Sequence, residues 1–333
     1  MAKLFSVCFA LWGIMLAVPA LADNEQTSAA ASGGNVPIII AHRGASGARP
    51  EHTASAYQLA IQQGADFIEP DLVMTRDGHL VARHDIYLSS TTNIADLPEF
   101  ANRKRTLEGK CDWYAFDFTL AELKRLKTRQ PRSGRSNAFD GIETIPTVAE
   151  VILLVKNANI KNNSKTGIYI EIKRPTLHKA MGLDPTDALR AVFSQLEKDR
   201  IPAYFQCFDA DYLRSFPTMA GAPKVFLIEG EHDPDTGRYK AAYEMDKWAR
   251  EFEGLGLNKA LLVSDPAQPG QVVRDAHNAG LKVHIWTIRD DVVPPAFKTG
   301  TEELQAIFSL GVDGVFTDHP DVAISARAVL GAR

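Results

Sequence analysis

Histidines, carboxylates and cations are concentrated in one short stretch of this chain. His42 is followed by Arg43, then come Glu69 and Asp71, and His84 ends the stretch. Two carboxylates can bind a divalent cation, an arginine can bind phosphate oxygens through two nitrogens, and histidines can exchange protons near neutral pH. This combination of residue types is suited to the hydrolysis of a phosphate ester.

Glu69 and Asp71 lie two residues apart in a segment with the pattern of a strand, residues 67–74. Alternation directs both side chains to one face, with their Cα atoms roughly 6.5 Å apart. Buried unpaired carboxylates cost free energy, so a cation is the expected partner, and oxygen ligands favour Ca²⁺ or Mg²⁺ over Zn²⁺. From this spacing alone, an exposed pair on a half-buried strand is the alternative.

A third acid, Glu171, interrupts the apolar run of residues 167–173. Glu171 and Lys173 share a face of the predicted strand, and the two by themselves suggest an ion pair. Beside Glu69 and Asp71, however, Glu171 becomes a candidate third metal ligand, which leaves Lys173 to face a phosphate.

Each of the two histidines is predicted to end a strand. His42 follows the apolar run 36–41, and His84 follows residues 80–82, which come after a predicted turn at 75–78. A single histidine at a strand end is more often structural than catalytic. Two of them become candidates for an acid and a base, because barrel enzymes carry their chemistry at the carboxyl ends of the strands.

Strand-like runs alternate with helical segments along most of the chain. Roughly eight strands with intervening helices favour an α/β fold, a TIM-type (β/α)₈ barrel, over an open doubly wound sheet. The absence of a glycine-rich dinucleotide loop after the first strand supports that choice. Further strands are predicted at 204–208, 225–228, 260–263, 282–287 and 314–316. Helices are predicted at 53–63 (with Thr53 as N-cap and Gly64 as the stop), 120–127, 184–200, 210–216, 238–252, 268–279, 302–310 and 319–330.

Residues 86–146 do not fit this alternation and form a long insertion after the third predicted strand. The segment is basic and aromatic, with Trp113, Tyr114, Phe116 and Phe118 among its residues. Long insertions at the catalytic face of a barrel often shape the entrance for the substrate. The alternative is that the insertion only covers one side of the barrel.

The first 22 residues have the pattern of a secretory signal peptide. Lys3 supplies positive charge, residues 4–20 form an apolar run, and Ala20 and Ala22 offer a cleavage site with small residues. An uncleaved membrane anchor is the alternative, although the run is short for a spanning helix. Residues 23–35 are small and polar and predict a disordered leader, which leaves 36–333 as the barrel domain. We therefore expect a periplasmic or secreted protein.

Composition limits the partners of the protein. A net charge of −4 over 333 residues provides no global basic field, which argues against nucleic acid as a partner. No later segment approaches spanning length, so no stable membrane insertion is expected after signal cleavage. Two cysteines then remain, Cys111 and Cys207, and the sequence leaves open whether they form a disulfide. It does not indicate an oligomeric state.

Taken together, these motifs resemble the glycerophosphodiester phosphodiesterase (GDPD) family in order and spacing. Each motif is weak by itself, but the set spans roughly residues 38–322 and is highly specific. The motifs are His42-Arg43-Gly44-Ala45-Ser46-Gly47, Pro50-Glu51-His52-Thr53, Gly64-Ala65-Asp66, Glu69-Pro70-Asp71, Thr75-Arg76-Asp77-Gly78, His84-Asp85, Glu171-Ile172-Lys173, Gln206-Cys207-Phe208-Asp209, Trp286-Thr287 and the closing run from Gly311 to Pro320.

The resemblance implies hydrolysis of small glycerophosphodiesters to sn-glycerol 3-phosphate and an alcohol. It also implies a TIM-type barrel with an insertion. The long insertion and the signal peptide resemble the periplasmic, calcium-dependent branch, so Ca²⁺ is the expected ion and Mg²⁺ the alternative. The resemblance implies that His42 and His84 are the acid/base pair and that Glu69, Asp71 and Glu171 are the metal ligands. It also implies that Arg43 and Lys173 contact the phosphate and that Trp286 lies near the glycerol.

Two other functions stay open at this point. A lysophospholipase D-like enzyme would need an apolar landing surface for lysolipids, for which the aromatic residues of the insertion are candidates. A non-catalytic periplasmic phosphodiester-binding protein should lack a catalytic histidine or a metal ligand, and none is missing here. Two departures from the family pattern are His52, where many relatives carry asparagine, and Cys207, which replaces a common serine.

Overall fold

The computed structural model describes residues 36–219, 221–263 and 267–330, so the predicted signal peptide and leader lie outside the described residues. The strands are β1 (Ile38–His42), β2 (Phe67–Glu69), β3 (Asp71–Met74), β4 (Leu80–Ala82), β5 (Arg105–Leu107), β6 (Lys110–Asp112), β7 (Gly167–Ile172), β8 (Ala203–Cys207), β9 (Lys224–Ile228), β10 (Glu231–Asp233), β11 (Arg238–Lys240), β12 (Gly254–Asn258), β13 (Lys282–Ile288) and β14 (Gly314–Thr317). The helices are α1 (Ala54–Gln62), α2 (Leu120–Leu123), α3 (Val148–Asn162), α4 (Pro175–Ala180), α5 (Thr186–Asp199), α6 (Ala210–Ser215), α7 (Met245–Trp248), α8 (Gln271–Asn278), α9 (Gly300–Ser309) and α10 (Pro320–Ala328).

Eight parallel strands close into a barrel with helices between them, which confirms the predicted fold class. The order is β2-β1-β14-β13-β12-β9-β8-β7-β3, and β7 pairs with both β2 and β3, so the sheet returns to its start. β2 and β3 are one barrel strand interrupted at Pro70, which has no amide hydrogen to donate to a neighbouring strand.

Aromatic side chains fill the barrel interior below the site. Tyr169 stacks on Tyr204 with ring centroids 4.6 Å apart, and Phe67 meets Tyr204 edge-on at 5.2 Å. Two positions further along the same strands, the same inward face carries Glu69 and Glu171. This packed floor confines the polar groups to the carboxyl ends of the strands. Its buried members are Ile40, Tyr169, Val225 and Phe316.

The third predicted strand exists but is not part of the barrel. β4 pairs antiparallel with β3, with Leu72 opposite Ala82. The turn between them is the predicted one, and the hydroxyl of Thr75 donates to Asp77 Oδ1 at 2.6 Å. Because β4 runs back along β3, His84 returns to the carboxyl ends of the barrel strands without ending one itself.

The strand predicted at 260–263 is wrong: these residues belong to a 3₁₀ helix, Lys259–Val263. The barrel strand lies just before it, as β12. Its glycines weaken the strand pattern in the sequence, but they are required by close packing. A Cβ on Gly256 would lie 2.4 Å from Leu227 Cδ2 on the neighbouring strand.

The helix predicted at 238–252 is also wrong over most of its length. Residues 231–240 form the β10–β11 hairpin, and α7 alone is helical. Gly237 has φ +68°, and its amide donates to the carbonyl of Asp233 at 2.8 Å, which reverses the chain there. The tight turn therefore competes successfully with the helical periodicity.

The other predicted helices are present with shifted ends, and two helices went unpredicted. The hydroxyl of Thr53 caps α1 by accepting from the amide of Ala56, as expected. The unpredicted helices are α3 and α4. α3 begins with a capping box between Thr147 and Glu150, a signal that is readable in the sequence.

The insertion after β4 has a small core of its own. It contains the β5–β6 hairpin, α2 and several 3₁₀ turns, and the aromatic residues named above, Trp113, Tyr114, Phe116 and Phe118, are all buried in this core. Cys111 on β6 is exposed, Cys207 on β8 is buried, and both are free thiols, so the two do not form a disulfide. Within the described residues, no helix is long and apolar enough to cross a membrane.

Candidate active site

Three buried carboxylates converge at the carboxyl ends of the barrel strands. Glu69 ends β2, Asp71 begins β3, and Glu171 lies opposite Asp71 on β7. One oxygen from each lies within 4.8 Å of the others. The structure therefore brings together the three ligands predicted from sequence.

Burial and mutual repulsion perturb these acids strongly. Burial raises the pKa of Glu69 well above its usual range, and Asp71 and Glu171 raise it further. Burial likewise raises the pKa of Glu171 to about 8, with Lys173 opposing the shift. Asp71 Oδ1 is buried and has no hydrogen-bond partner among the described residues. These clustered carboxylates lack sufficient positive charge around them, and their oxygen atoms are the ligands that a hard divalent cation prefers.

Two cations lie against the triad. Lys173 Nζ is 2.7 Å from Glu171 Oε1 and 3.8 Å from Asp71 Oδ1. Arg43 Nη1 donates to Glu51 Oε2 at 2.9 Å, and its Nε is 3.4 Å from Asp71 Oδ2. Burial opposes both charges, but the neighbouring carboxylates outweigh it and raise the pKa of each cation. Both side chains therefore remain charged beside the cavity.

His42 is held by a carboxylate from the last barrel strand end. Its Nδ1 lies 2.6 Å from Asp318 Oδ1. Burial alone would raise the pKa of Asp318, but His42 and Arg289 outweigh burial and hold this pKa well below its usual range. The ionised carboxylate can only accept, so Nδ1 carries the proton and Nε2 is left free to accept one. Burial and Arg43 lower the pKa of His42 to about 3.

His84 lines the same cavity and is more exposed than His42. Its side chain is 33% exposed, against 10% for His42. Nδ1 bonds to Asp85 Oδ1 at 2.8 Å. Burial lowers its pKa, and Arg43 and Lys173 lower it further. The two histidines thus have the same arrangement, with one ring nitrogen held by an aspartate.

Both histidines line one cavity of about 160 Å³. Trp286 contributes to it and meets Phe208 edge-on, with ring centroids 5.6 Å apart. Asp71 lies behind this surface and does not line the cavity. The lining residues are His42, Arg43, Glu69, His84, Glu171, Lys173 and Trp286, which were predicted, and Gln206, Phe208, Leu227, Glu229, Thr287, Arg289 and Phe316, which were given no role.

The supporting residues were missed by the sequence reasoning. His52 Nε2 lies 3.0 Å from Asp71 Oδ2, and Gln206 Nε2 donates to Glu69 Oε1 at 3.1 Å. The histidine that departs from the family pattern therefore orients a candidate metal ligand. The only sequence signal that could have identified His52, Gln206 and Asp318 was that each lies within one of the family motifs.

A sequence comparison identifies the family. The profile of the glycerophosphoryl diester phosphodiesterase family matches residues 42–322. A glycerophosphodiester phosphodiesterase of Arabidopsis thaliana is 33% identical over 85% of this chain and 83% of its own length. A glycerophosphodiester phosphodiesterase of Haemophilus influenzae is 30% identical over 86% of this chain and 88% of its own.

Solved structures share the fold. A phosphodiesterase of Oleispira antarctica, in complex with the product sn-glycerol-3-phosphate, matches with a TM-score of 0.62 and 24% identity over 87% of this chain and 96% of that one. A glycerophosphodiester phosphodiesterase of Agrobacterium tumefaciens matches with a TM-score of 0.58 and 20% identity over 87% and 99%. With the family profile extending from His42 to past the last barrel strand, this chain belongs to the glycerophosphoryl diester phosphodiesterase family.

Proposed function

We propose that the protein hydrolyses glycerophosphodiesters to sn-glycerol 3-phosphate and an alcohol, with a bound divalent cation. The observation that supports this most directly is the common cavity: two cations, two aspartate-held histidines and two acids line it, and the third acid of the buried triad lies directly behind it. Family membership supports the reaction class, and a fold relative was solved with sn-glycerol-3-phosphate bound.

The phosphate is bound by the two cations and the metal site. Arg43 and Lys173 would contact the phosphoryl oxygens, and a phosphodiester anion is otherwise repelled by the acids around it. Glu69, Asp71 and Glu171 would hold the divalent cation, with Ca²⁺ expected and Mg²⁺ as the alternative. When bound, such an ion stabilises the charge that develops on the phosphoryl oxygens.

The two histidines transfer the protons. One takes a proton from the attacking hydroxyl, which belongs either to water or to the substrate's own glycerol, and the other protonates the leaving alkoxide. Their aspartate partners orient the rings, so that the second nitrogen of each is available at the cavity. Such proton transfer typically contributes 10²–10⁴-fold to the rate.

Trp286 and Phe208 supply an apolar wall to the same cavity, and we assign the glycerol moiety to it. The Nε1 of Trp286 is buried and has no hydrogen-bond partner in the described part of the chain. The rings, rather than this buried donor, are what the cavity offers to the carbon atoms of glycerol.

Lysolipids are not favoured as substrates. The four aromatic side chains named as candidates for a landing surface, Trp113, Tyr114, Phe116 and Phe118, are all buried, with Trp113 the most exposed of them at 6%. A non-catalytic phosphodiester-binding protein is also not favoured, because both histidines and all three acids are present and lie at one site.

One assay tests the proposed reaction. The purified protein is treated with a chelator, and Ca²⁺ or Mg²⁺ is added back. Release of choline, the alcohol common to both substrates, is then measured from glycerophosphocholine and from lysophosphatidylcholine, together with glycerol 3-phosphate from the first. We expect activity on the first substrate only, lost on chelation and restored by the ion. No release from any glycerophosphodiester would contradict the proposal, and preferential cleavage of the lysolipid would replace it with the lysophospholipase D activity.

We also propose a periplasmic or secreted location, which rests on the pattern of residues 1–22. Fractionation of producing cells, with mass determination of the mature N-terminus, should find a chain that begins near Asp23 outside the cytoplasm. A full-length chain in the cytoplasm would refute this location.

A further inference from the structure

Arg135, near the end of the insertion, reaches the catalytic face of the barrel. Its Nη2 donates to Asp318 Oδ2 at 2.6 Å, and its Nη1 donates to the carbonyl of Ser46 at 3.1 Å. Nε and Nη2 also bind the two carboxylate oxygens of Asp291, at 2.6 and 3.0 Å. The side chain is only 3% exposed. An arginine that is buried with three polar partners is held in one orientation.

Asp318 connects this arginine to the proposed catalytic histidine. Its Oδ1 lies 2.6 Å from His42 Nδ1, while its Oδ2 accepts from both Arg135 and Arg289, the latter through Nε at 2.9 Å. Both oxygens are therefore used, and the plane of the carboxylate is fixed by donors on either side. Because His42 is oriented through Oδ1, the position of this carboxylate sets where Nε2 points in the cavity.

The same part of the insertion also holds the loop that follows His42. Gln130 Nε2 donates to the carbonyl of Ser46 at 3.1 Å, so this carbonyl is bound twice by the insertion. Ser46 Oγ in turn donates to the carbonyl of His42 at 2.9 Å, and the amide of Gly47 donates to the carbonyl of Asp318 at 2.9 Å. The insertion thus contacts His42 indirectly from two directions, the carboxylate and the loop.

We propose that Arg135 is a positioning residue that sets the orientation of His42 through Asp318, which makes the insertion part of the catalytic apparatus. This inference rests on the proposed function. Arg135 does not line the cavity, whereas Arg289, the other arginine on Asp318, does and comes from the end of a barrel strand. Arg135 is therefore the insertion's own contribution to this network, and it acts without touching the substrate.

A double-mutant cycle tests the proposal by steady-state kinetics on glycerophosphocholine with the ion present. Arg135→Ala should lower kcat about 10- to 100-fold, as loss of an orienting partner does, with KM changed by less than about twofold. Asp318→Ala should lower kcat at least as much. If Arg135 acts through Asp318, the double variant should match Asp318→Ala alone. Losses in kcat that multiply in the double variant would overturn the proposal.

Matched variants separate positioning from folding. Arg105→Ala removes a comparable paired Arg–Asp contact of the same insertion, with Asp117 at 2.7 and 3.1 Å, and should leave kcat within about twofold. If Arg135→Ala does not fold, Arg135→Lys and Asp291→Ala are measured instead, because each removes only part of the hydrogen bonding around Arg135. Both should lower kcat by a smaller factor, and unchanged kcat in both would overturn the proposal. A wild-type protein that releases no glycerol 3-phosphate would instead contradict the proposed function.

Discussion

At the residue scale, the site depends on side chains whose charge is set by their neighbours. Arg43 lowers the pKa of both His42 and His84, and each ring is held through Nδ1 by an aspartate. The acids beside them are buried with too few counter-charges. Each property follows from placing polar groups at the mouth of a packed barrel, where water cannot screen them.

Removing either histidine should nearly abolish turnover and leave the fold intact. We expect His42→Ala and His84→Ala each to lower kcat by about 10²–10⁴-fold, because each removes one proton-transfer group. His79→Ala is the matched control, since His79 lies on the β3–β4 turn with a side chain that is 54% exposed. Initial rates and far-ultraviolet circular dichroism check this, and near-normal turnover in either site variant would contradict the assignment.

Replacing one acid of the triad should have opposite effects with and without metal. Glu69→Gln removes a buried acid whose ionisation is opposed by burial and by Asp71 and Glu171, so the metal-free variant should be at least as stable as wild type. With Ca²⁺ at about 100 times its Kd, wild type should gain about 2.7 kcal/mol in free energy of unfolding, and the variant much less. Denaturant titrations with Ca²⁺ and with chelator measure both, with Glu99→Gln on the insertion surface as control. An equal Ca²⁺ gain in the variant would exclude Glu69 as a ligand.

At the element scale, the barrel separates a packed floor from a reactive rim. On β1, β2, β7 and β8, alternation puts an aromatic or aliphatic residue in the floor and a polar one two positions later. The insertion carries Gln130 and Arg135 to the rim, while Trp113, Tyr114, Phe116 and Phe118 stay in its own core.

The floor also makes stability depend on pH through His284. This histidine is buried and its Nδ1 lies 2.7 Å from the hydroxyl of Tyr169. Burial lowers its pKa from 6.5 to about 4, so the folded state keeps it neutral. Its contribution to stability is complete above pH 6.5 and is lost as the pH falls towards 4, at about 1.4 kcal/mol per pH unit for one proton.

Urea denaturation between pH 7 and 4 checks this contribution. His284→Gln cannot take up the proton, so the free energy of unfolding of the variant should fall less steeply with decreasing pH than that of wild type. The variant should be less stable at neutral pH, because the contact with Tyr169 is altered. Parallel pH dependences for the two proteins would contradict the prediction.

At the scale of the whole molecule, the two cysteines outside the predicted signal peptide report on folding. Cys111 is exposed on the insertion, whereas Cys207 is buried in the barrel, where burial raises the pKa of its thiol to about 12. Labelling with a thiol reagent should therefore modify one cysteine in the native protein and the second only after unfolding. Peptide mapping of the labelled protein identifies each site. Failure of both to react without a reductant would indicate a disulfide instead.

Local pattern alone was sufficient for much of the fold and for the reacting groups. A period of two places Glu69 and Asp71 on one face, a strand-end position marks His42, and an acid within an apolar run marks Glu171. Local pattern failed where tertiary packing overrides propensity: Gly256 of β12 is needed because Leu227 packs against it, and the turn at Gly237 displaces a helix. The capping box of α3 was readable and was overlooked.

Residue types and strand alternation were enough to nominate the candidate reacting groups, because both are local properties. Their partners follow from long-range packing: Asp318 lies 276 positions from His42, and Arg135 lies 183 positions from Asp318. Pairing of β1 with β14 closes the barrel and brings Asp318 to His42. The insertion folds back onto the rim and brings Arg135 to Asp318. Contacts of such separation depend on barrel closure and packing, which no local pattern encodes.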